Sequence, residues 1–272
     1  MALQILNTPR TTIRDTAQAL TLLEKALARL VAHRYDAERH ILDYGALPAA
    51  NELKDLVAAA DALPAIDPSA IPDIPTCTAF WLNTWNALLV HTLAHARPGE
   101  SVRSVDGLFT TRAYQVGAYV FTLDDIEHGI LRANARRGLA AGRLFARNDP
   151  RFELSLPSVD PLVHFGFYTA CTSSPPLQAF AADNLADRLA TGARITLDRS
   201  VQLSGSRLYV PRTFSWYQDD FGGRSGVIEF LLQHLPDDDR RAALQAGDRG
   251  VTLEYLEYDW TLNDSWRPLH AD

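Results

Sequence analysis

The sequence predicts an α+β domain in which N-terminal helices pack on a C-terminal mixed, mainly antiparallel sheet. Helical periodicity dominates the chain up to Arg132, whereas short β-like segments become frequent after Pro150. This order, with helices first and strands later, is typical of α+β folds. The hydrophobic fraction of 47% over 272 residues allows a sizeable core. The length suggests one large domain or two small ones.

The N-terminal part contains two predicted helices. Residues 11–33 place several leucines on one face, as an amphipathic helix does. A second helix is predicted from Ala50, with Asn51 as its N-cap, because an asparagine side chain can satisfy a free N–H group at a helix start. The proline-rich stretch 64–75 follows, and its prolines argue against regular structure there.

The third predicted helix, residues 78–96, is apolar on almost every side, yet it holds Asn83 and Asn86 within FWLNTWNALLVHT. Such a helix is usually buried, and a buried amide without a partner costs about 1–3 kcal/mol. The amides therefore either bond neighbouring backbone, which the burial favours, or line a pocket. His91 and His95 have the i, i+4 spacing of a metal pair, but no third ligand is evident nearby, so we predict no metal.

The fourth predicted helix, within FTLDDIEHGILR, combines an acid, a histidine and an arginine, and its N-cap is Thr122 or Asp124. Glu127 lies in the apolar stripe of this helix, so its carboxyl is either paired or has a raised pKa. Glu127 has either a structural role, as the partner of an arginine elsewhere in the chain, or a catalytic role, as a carboxylate that orients or exchanges a proton. His128 and Arg132 lie on the other side, and an imidazole suits acid–base catalysis.

The chain after Pro150 favours strands. The predicted strands are RFELSL, VHFGFYTA, ARITLD, RLYV and VTLEYLEYD, and the predicted helices are PPLQAFAADNLADRLA and residues 226–235. Cys171 lies in a turn just before the first of these helices, where helix amides would lower its pKa and could hold an oxyanion. It is thus a candidate nucleophile, and the alternative is a small buried thiol that fills a gap.

Two late segments, TFSWYQDDFGG and EYDWTLND, mix aromatic residues with carboxylates. Aromatic walls with a few polar groups fit a ligand pocket, in which Trp216 and Asp220 are candidate binding residues. The same composition also fits core aromatics beside partnered or turn-capping aspartates.

Charge and targeting signals narrow the possible functions. The net charge of −7 and a pI of about 5.6 argue against a nucleic-acid partner. No segment approaches the roughly 20 apolar residues of a membrane helix, and no signal peptide is evident. We expect a soluble, cytoplasmic protein without a membrane partner. The chain has no glycine-rich phosphate loop, and we predict no cofactor.

Together these segments resemble the domain-of-unknown-function 547 family. That family has Phe-Trp-Ile-Asn-x-Tyr-Asn-Ala, here FWLNTWNAL, then Ile-Glu-His with a following arginine, here IEHGILR. Its His-Phe-Ala-Leu strand and Cys-Gly-Ser turn correspond to HFGFYTACTSSPPL, which contains His164, and FSWYQDDF and YDWTLN follow in the family order. The resemblance implies one domain, with a helical part at 1–64 and a family core at about 65–263. It implies no settled activity.

The resemblance also exposes a departure at the cysteine turn. The family's first cysteine aligns with Thr169 and its second with Ser174, whereas Cys171 falls where the family has serine or threonine. If the family chemistry needs the first thiol, this chain has lost it, moved it by two residues, or replaced it with Thr169.

We hypothesise a metal-independent enzyme for acyl transfer or hydrolysis on a small polar, acyl or peptide substrate. In this hypothesis His128 moves a proton, Glu127 orients it, and Thr169 and Cys171 attack the acyl group or bind its oxygen. The residues assigned to substrate binding are Arg132, as a carboxylate anchor, and Asn83, Asn86, His164, Trp216 and Asp220. The hypothesis requires that the imidazole and the cysteine turn face a common cavity.

Two alternatives stay open. The first is a non-catalytic ligand- or protein-binding module, in which the same polar groups form a buried scaffold. The second is a degenerate family member that lost its activity with the family cysteine. The oligomeric state is left open by the sequence.

Overall fold

The computed structural model describes residues 2–9, 15–96, 98–136, 142–246 and 251–265, and it has a mixed α+β fold. Its α-helices are α1 Thr16–Arg34, α2 Asn51–Ala60, α3 Ile74–Ala96, α4 Leu108–Thr111, α5 Leu185–Ser200, α6 Thr213–Trp216, α7 Gly223–His234 and α8 Asp239–Gln245. Its strands are β1 Gln4–Ile5, β2 Tyr35–Asp36, β3 Ile41–Leu42, β4 Arg112–Val116, β5 Tyr119–Thr122, β6 Gln202–Ser204, β7 Arg207–Val210 and β8 Thr252–Tyr255. A π-helix at Asp125–Leu131 follows β5.

The described strands form three small sheets. The expected single C-terminal sheet is therefore wrong in its placement, because two of the three sheets are built from strands in the first half of the chain. In the first sheet β1 pairs parallel with β4, which pairs antiparallel with β5. In the last sheet β6 pairs antiparallel with β7, and β7 pairs parallel with β8. A two-stranded antiparallel pair, β2–β3, completes the set. The mixed α+β class predicted from the sequence is confirmed.

Helix α3 is the centre of the larger hydrophobic core. Every residue from 78 to 94 is buried, and α1 and α2 pack on this helix. The hydroxyls of Thr84 and Thr92 donate to carbonyls one turn earlier, at 2.8 and 2.7 Å. The predicted burial is therefore confirmed, and these hydroxyls are paired as burial demands, whereas the buried Nε1 of Trp85 has no hydrogen-bond partner among the described residues. The helix starts earlier than predicted, where Asp73 accepts the N–H of Thr76 at 2.8 Å.

The other N-terminal predictions differ in detail. The residue before α2 is Ala50, which makes no side-chain cap, so the predicted Asn51 cap is wrong. Helix α1 begins after Asp15, whose carboxylate accepts the N–H of Ala17; the earlier start falls on residues 11–14, which lie outside the described residues. The proline-rich stretch holds only short 3-10 turns before α3 begins.

Three of the predicted strands do not form, and 3-10 turns or an α-helix occupy all or part of each segment. RFELSL and VHFGFYTA overlap 3-10 turns at Pro150–Leu154 and Pro161–Phe165, and ARITLD lies inside α5. Each 3-10 turn starts with an aspartate–proline pair whose carboxylate accepts an N–H of the first turn, which is a helix-start signal that outweighs β propensity. RLYV and part of VTLEYLEYD are confirmed as β7 and β8, and residues 226–235 lie almost wholly within α7.

The helix predicted at PPLQAFAADNLADRLA starts later, at Leu185. Residues 174–181 have no regular secondary structure, and Asn83 bonds both backbone groups of Phe180, at 2.7 and 2.9 Å. A backbone whose donors and acceptors are used in this way has no groups left for helical hydrogen bonds. A second, smaller hydrophobic cluster packs α5 and α7 against the last sheet.

The π-helix begins with a reciprocal cap. The hydroxyl of Thr122 accepts the N–H of Asp125 at 3.1 Å, and Asp125 accepts the N–H of Thr122 at 2.9 Å. Thr122 therefore acts as the predicted cap residue, in the manner of a capping box. The helix ends with a bond from the N–H of Arg132 to the carbonyl of Glu127 at 2.8 Å, which is the i→i+5 pattern.

Replacing Thr122 with alanine is expected to lower the free energy of unfolding by about 1 kcal/mol, because one cap of the π-helix is lost. The matched control is Thr21→Ala on the exposed face of α1, which should stay within about 0.5 kcal/mol of the parent. Equal effects of the two substitutions in urea unfolding would contradict the capping role.

No described helix combines the length and the apolar character that a membrane crossing requires.

Candidate active site

A cavity of about 240 Å³ brings together residues that are far apart in the sequence. Its polar lining residues are Asp124, Glu127, His128, His164, Thr169 and Thr213. Its other lining residues are Phe109, Phe167, Pro175, Trp216, Tyr217, Tyr258 and Trp260. His128 and Thr169 therefore face the same cavity, which is the arrangement that the enzyme hypothesis requires.

The carboxyl of Glu127 is held by a tyrosine. The hydroxyl of Tyr217 donates to Oε1 of Glu127 at 2.7 Å, and the Glu127 side chain is only 12% exposed. Burial raises the pKa of Glu127, and the hydrogen bond from Tyr217 opposes this only in part. The predicted alternative of an arginine ion pair at this carboxyl is replaced by a tyrosine hydrogen bond.

Arg132 fixes the tautomer of His128. The Nη1 of Arg132 lies 2.9 Å from Nδ1 of His128. Because a guanidinium can only donate, Nδ1 is the acceptor and the proton of the neutral ring is on Nε2. Glu127 Oε1 lies 3.9 Å from the same Nδ1, which is beyond hydrogen-bond range. Arg132, rather than Glu127 as expected, therefore orients the ring of His128.

Asp220 anchors Arg132 and His164 beside the cavity. Its two oxygens accept from Nε and Nη2 of Arg132 at 2.5 and 3.0 Å, and Oδ2 also lies 2.9 Å from Nε2 of His164. The side chains of Arg132 and Asp220 are each only 4% exposed, and neither lines the cavity. The assignment of these two residues to substrate binding is therefore corrected to positioning, because their charged groups already bind each other.

The pKa values of this buried pair follow from the same contacts. Burial would raise the pKa of Asp220, but the hydrogen bonds from His164 and Arg132 outweigh it and lower that pKa. Burial lowers the pKa of His164, against the attraction of Asp220. A neutral His164 that donates Nε2–H to an ionised Asp220 agrees with both directions.

Tyr217 connects the two groups and was not singled out from the sequence. Its ring stacks on His164 with centroids 4.3 Å apart and an interplanar angle of 18°. The guanidinium carbon of Arg132 lies 4.5 Å from the centroid of the same ring. These contacts hold the hydroxyl that donates to Glu127. Its place in FSWYQDDF, beside Trp216, was the available signal.

Asn83 and Asn86 lie away from the cavity and bond backbone. Asn86 donates to the carbonyls of Gly166 and Gln178 at 3.1 and 3.3 Å, and accepts the N–H of Tyr168 at 3.0 Å. Together with the two hydrogen bonds between Asn83 and Phe180, these bonds hold the irregular segment 166–180 against α3. Their assignment to substrate binding is replaced by this structural role.

In the turn from Thr169 to Ser174, the hydroxyl of Thr169 lies at the cavity and the thiol of Cys171 is buried. Oγ1 of Thr169 lies 2.7 Å from the hydroxyl of Tyr258 and 3.3 Å from Sγ of Cys171. Ala170, between them, has a φ of 58°, a left-handed conformation that is uncommon outside glycine and is often found at functional sites. Thr169 lines the cavity, whereas Cys171 does not.

The predicted activation of Cys171 is wrong. Helix α5 begins only at Leu185, so the cysteine turn does not lead directly into a helix N-terminus. Burial instead raises the pKa of the Cys171 thiol to about 11, despite a hydrogen bond with Thr169. Cys171 is thus a protonated, buried thiol at neutral pH.

Both thiols should react slowly with a disulfide reagent in the folded protein. Burial raises the pKa of Cys77 to about 11 as well, so at pH 7.5 little thiolate is present at either position. We expect modification by Ellman's reagent at least about 100-fold slower than that of free cysteine, with full reaction after unfolding in guanidinium. Rapid native labelling of Cys171 would contradict this.

The histidine pair of α3 lies at a separate, smaller depression. Nδ1 of His91 lies 2.9 Å from the hydroxyl of Tyr114, and Nδ1 of His95 donates to the carbonyl of His91 at 3.0 Å. No group of three or more potential metal ligands occurs within the described ranges.

Comparison with known families supports the motif-based resemblance. A family model described as "Protein of unknown function, DUF547" matches residues 75–195. No curated protein and no solved structure matches the chain. The matched segment contributes Glu127, His128, His164 and Thr169 to the cavity, and the segments beyond it contribute Trp216 and further aromatic residues.

Proposed function

Residues 75–195 form a match to the DUF547 family, and from that premise we propose that the cavity is the active site of a hydrolase acting on a small acyl substrate. The observation that carries the proposal is one cavity shared by a buried carboxyl with a raised pKa, an imidazole and a hydroxyl. Sites that combine perturbed acids with a cleft are candidates for catalysis. The acyl or peptide substrate and the cytoplasmic location expected from the sequence belong to the same proposal.

Water, rather than Thr169, is the nucleophile in this proposal. The hydrogen-bond neighbours of the Thr169 hydroxyl are Tyr258 and Cys171, and burial raises the pKa of both. Neither neighbour can therefore take the hydroxyl proton at neutral pH. Thr169 instead offers a hydrogen bond to the bound acyl group.

Glu127 and His128 then have complementary tasks. Ionised Glu127 takes a proton from water as the water oxygen bonds to the acyl carbon. The carbonyl becomes an oxyanion, which the Nε2–H of His128 stabilises. When the bond to the leaving group breaks, the carboxyl of Glu127 returns the proton to that group. The products are a carboxylic acid and an alcohol or amine, so one water is consumed and Glu127 is regenerated.

The raised pKa of Glu127 supports its task. A group that exchanges protons in both directions works best when its pKa is near the working pH, and burial moves this carboxyl upward from its ordinary value. The aromatic walls of the cavity lower the polarity around the carboxyl and so strengthen its electrostatic interactions.

A panel of 4-nitrophenyl esters and peptide anilides tests the proposal. We expect turnover by the parent protein and a loss of about 10²–10³ in kcat for His128→Ala, because one donor to the oxyanion is removed. The control is His33→Ala, an exposed histidine near the end of α1. Turnover that is unchanged in His128→Ala would refute the assignment.

A non-catalytic binding module is the second candidate. Two observations favour it: among the described residues, the hydrogen-bond neighbours of the Thr169 hydroxyl, at the position of the family cysteine, include no base, and many aromatic residues line the cavity. Thermal melts separate the two views, because a scaffold His128 should destabilise the fold when replaced, whereas active-site groups are commonly held at a cost in stability. The substitution Thr169→Cys tests the further alternative of a degenerate family member. Activity that appears only in this variant would indicate that the chain lost its activity together with the family cysteine.

A further inference from the structure

A second depression continues from the cavity along the surface. It has a volume of about 430 Å³ and is lined by Arg103, Val105, Gly107, Leu108, Phe109, Thr110, Trp216 and Trp260. Phe109, Trp216 and Trp260 line both the cavity and this depression. A ligand longer than the cavity therefore has a continuous path past these three rings.

The shared wall is aromatic and partly open to solvent. Trp216 is 45% exposed, although a tryptophan usually buries most of its surface. Its ring stacks near that of Trp260, with centroids 6.2 Å apart and an interplanar angle of 28°. Phe109 packs on Trp260 from another side, at 6.1 Å. Such a wall offers apolar contact to a hydrocarbon chain.

Arg103 lines the second depression, which is the outer part of this path, but not the cavity. Its guanidinium carbon lies 5.8 Å from the centroid of the Trp260 ring, and the residue is exposed. Within the part of the chain that the structure describes, no carboxylate forms an ion pair with Arg103. A guanidinium on an aromatic face that keeps its donors available suits a carboxylate ligand.

The charges of the two ends give the path a direction. The cavity, as the inner end, is lined by Glu127 with its carboxyl, and the second depression, as the outer end, is lined by Arg103 with its guanidinium. An anionic group of a ligand is therefore repelled from the inner end and attracted to the outer end. Sugars also stack on aromatic rings, but apart from the indole N–H groups the described lining of the outer depression offers only the polar side chains of Arg103 and Thr110, too few for a row of hydroxyls.

We propose that the substrate is an elongated acyl compound with a carboxylate at the end remote from the reacting bond, and that Arg103 binds this carboxylate. The apolar stem of the substrate lies along Phe109, Trp216 and Trp260, and its acyl carbon reaches Glu127 and His128. This inference rests on the proposed hydrolase function for the reacting end, whereas the carboxylate site can be measured by binding alone.

Two matched esters test the inference by catalysis. Mono-4-nitrophenyl suberate carries the remote carboxylate, and methyl 4-nitrophenyl suberate replaces it with a neutral ester. At low salt we expect kcat/KM to favour the carboxylate by about fivefold, the upper range for a partly exposed ion pair. Arg103→Gln should abolish this preference, so that the two esters are hydrolysed with the same kcat/KM. The control, Arg29→Gln on α1, which lines neither depression, should keep the preference.

Binding measurements separate this inference from the hydrolase proposal. Octanoate and octanamide have the same stem, and quenching of tryptophan fluorescence reports their binding. We expect Arg103→Gln to weaken octanoate about fivefold and to leave octanamide unchanged. If neither ester is turned over but this difference is found, the hydrolase proposal fails and the carboxylate site stands. If Arg103→Gln affects both ligands equally, or neither, the inference is overturned.

Discussion

Replacing Asp220 with alanine is expected to lower the free energy of unfolding by about 3–5 kcal/mol, because the substitution leaves a buried guanidinium without its partner. Asp220 accepts both forks of Arg132 and also contacts His164, and the side chains of Arg132 and Asp220 are each 4% exposed. The loss is large because the charge of Arg132 stays buried when its counter-charge is removed. Urea unfolding monitored by circular dichroism measures the change.

Asp219 provides a matched control for this substitution. It is the neighbouring aspartate in the same 3-10 turn, but its side chain is exposed. Asp219→Ala should change the free energy of unfolding by no more than about 0.5 kcal/mol. If Asp220→Ala were as mild as Asp219→Ala, Arg132 and Asp220 would not form the buried pair described above.

The same pair predicts a pH dependence of stability. The pKa of Asp220 is lowered in the folded state, so its contribution is fully present above the unfolded value of about 3.9. The contribution is lost as the pH falls through the lowered folded pKa. The difference in free energy of unfolding between the parent protein and Asp220→Ala should therefore shrink below about pH 4. A difference that stays constant down to pH 2 would contradict the lowered pKa of Asp220.

Replacing Glu127 with glutamine is expected to lower the rate of ester hydrolysis by about 10²–10⁴ while leaving the fold at least as stable. The rate falls because an amide cannot take a proton from water, and general bases contribute factors of this size. Stability does not fall, because burial raises the pKa of Glu127 and its charged form is unfavourable in the folded state. A loss of activity without a loss of stability distinguishes a catalytic carboxyl from a structural one.

The sign of the stability change can be checked against pH. A carboxyl with a raised folded pKa costs stability above that pKa, and the cost is relieved as the pH falls towards the unfolded value of about 4.3. The advantage of Glu127→Gln over the parent should therefore shrink on acidification. Glu153→Gln, at an exposed glutamate, serves as the control and should change neither rate nor stability.

The helical half of the fold was predictable from the sequence, and the strands were predictable only in part. The apolar periodicity of α1 locates the first helix, because burial of one helix face leaves a strong pattern, and the length of the apolar segment locates α3. RFELSL and ARITLD have β-like composition but adopt helical structure, since a capping aspartate with proline at one site and packing of α5 at the other outweigh propensity. Three short sheets leave weaker patterns than one long sheet.

The residues of the candidate site were predictable as types, but several of their roles were not. The motif IEHGILR correctly marks a buried acid beside a histidine and an arginine. The partner of Arg132 is Asp220, far along the chain, and one sequence contains no information on such a pairing. The expected activation of Cys171 failed because it depended on a helix start that long-range bonds from Asn83 displace.

A double-mutant cycle tests most directly whether Glu127 and His128 act on one substrate in one cavity. The kcat/KM for 4-nitrophenyl esters is measured for the parent, Glu127→Gln, His128→Ala and the double variant. Groups that act together on one reaction step give non-additive losses, so the account predicts a double variant about as slow as the slower single variant. Losses that multiply, or a parent protein without turnover, would contradict it.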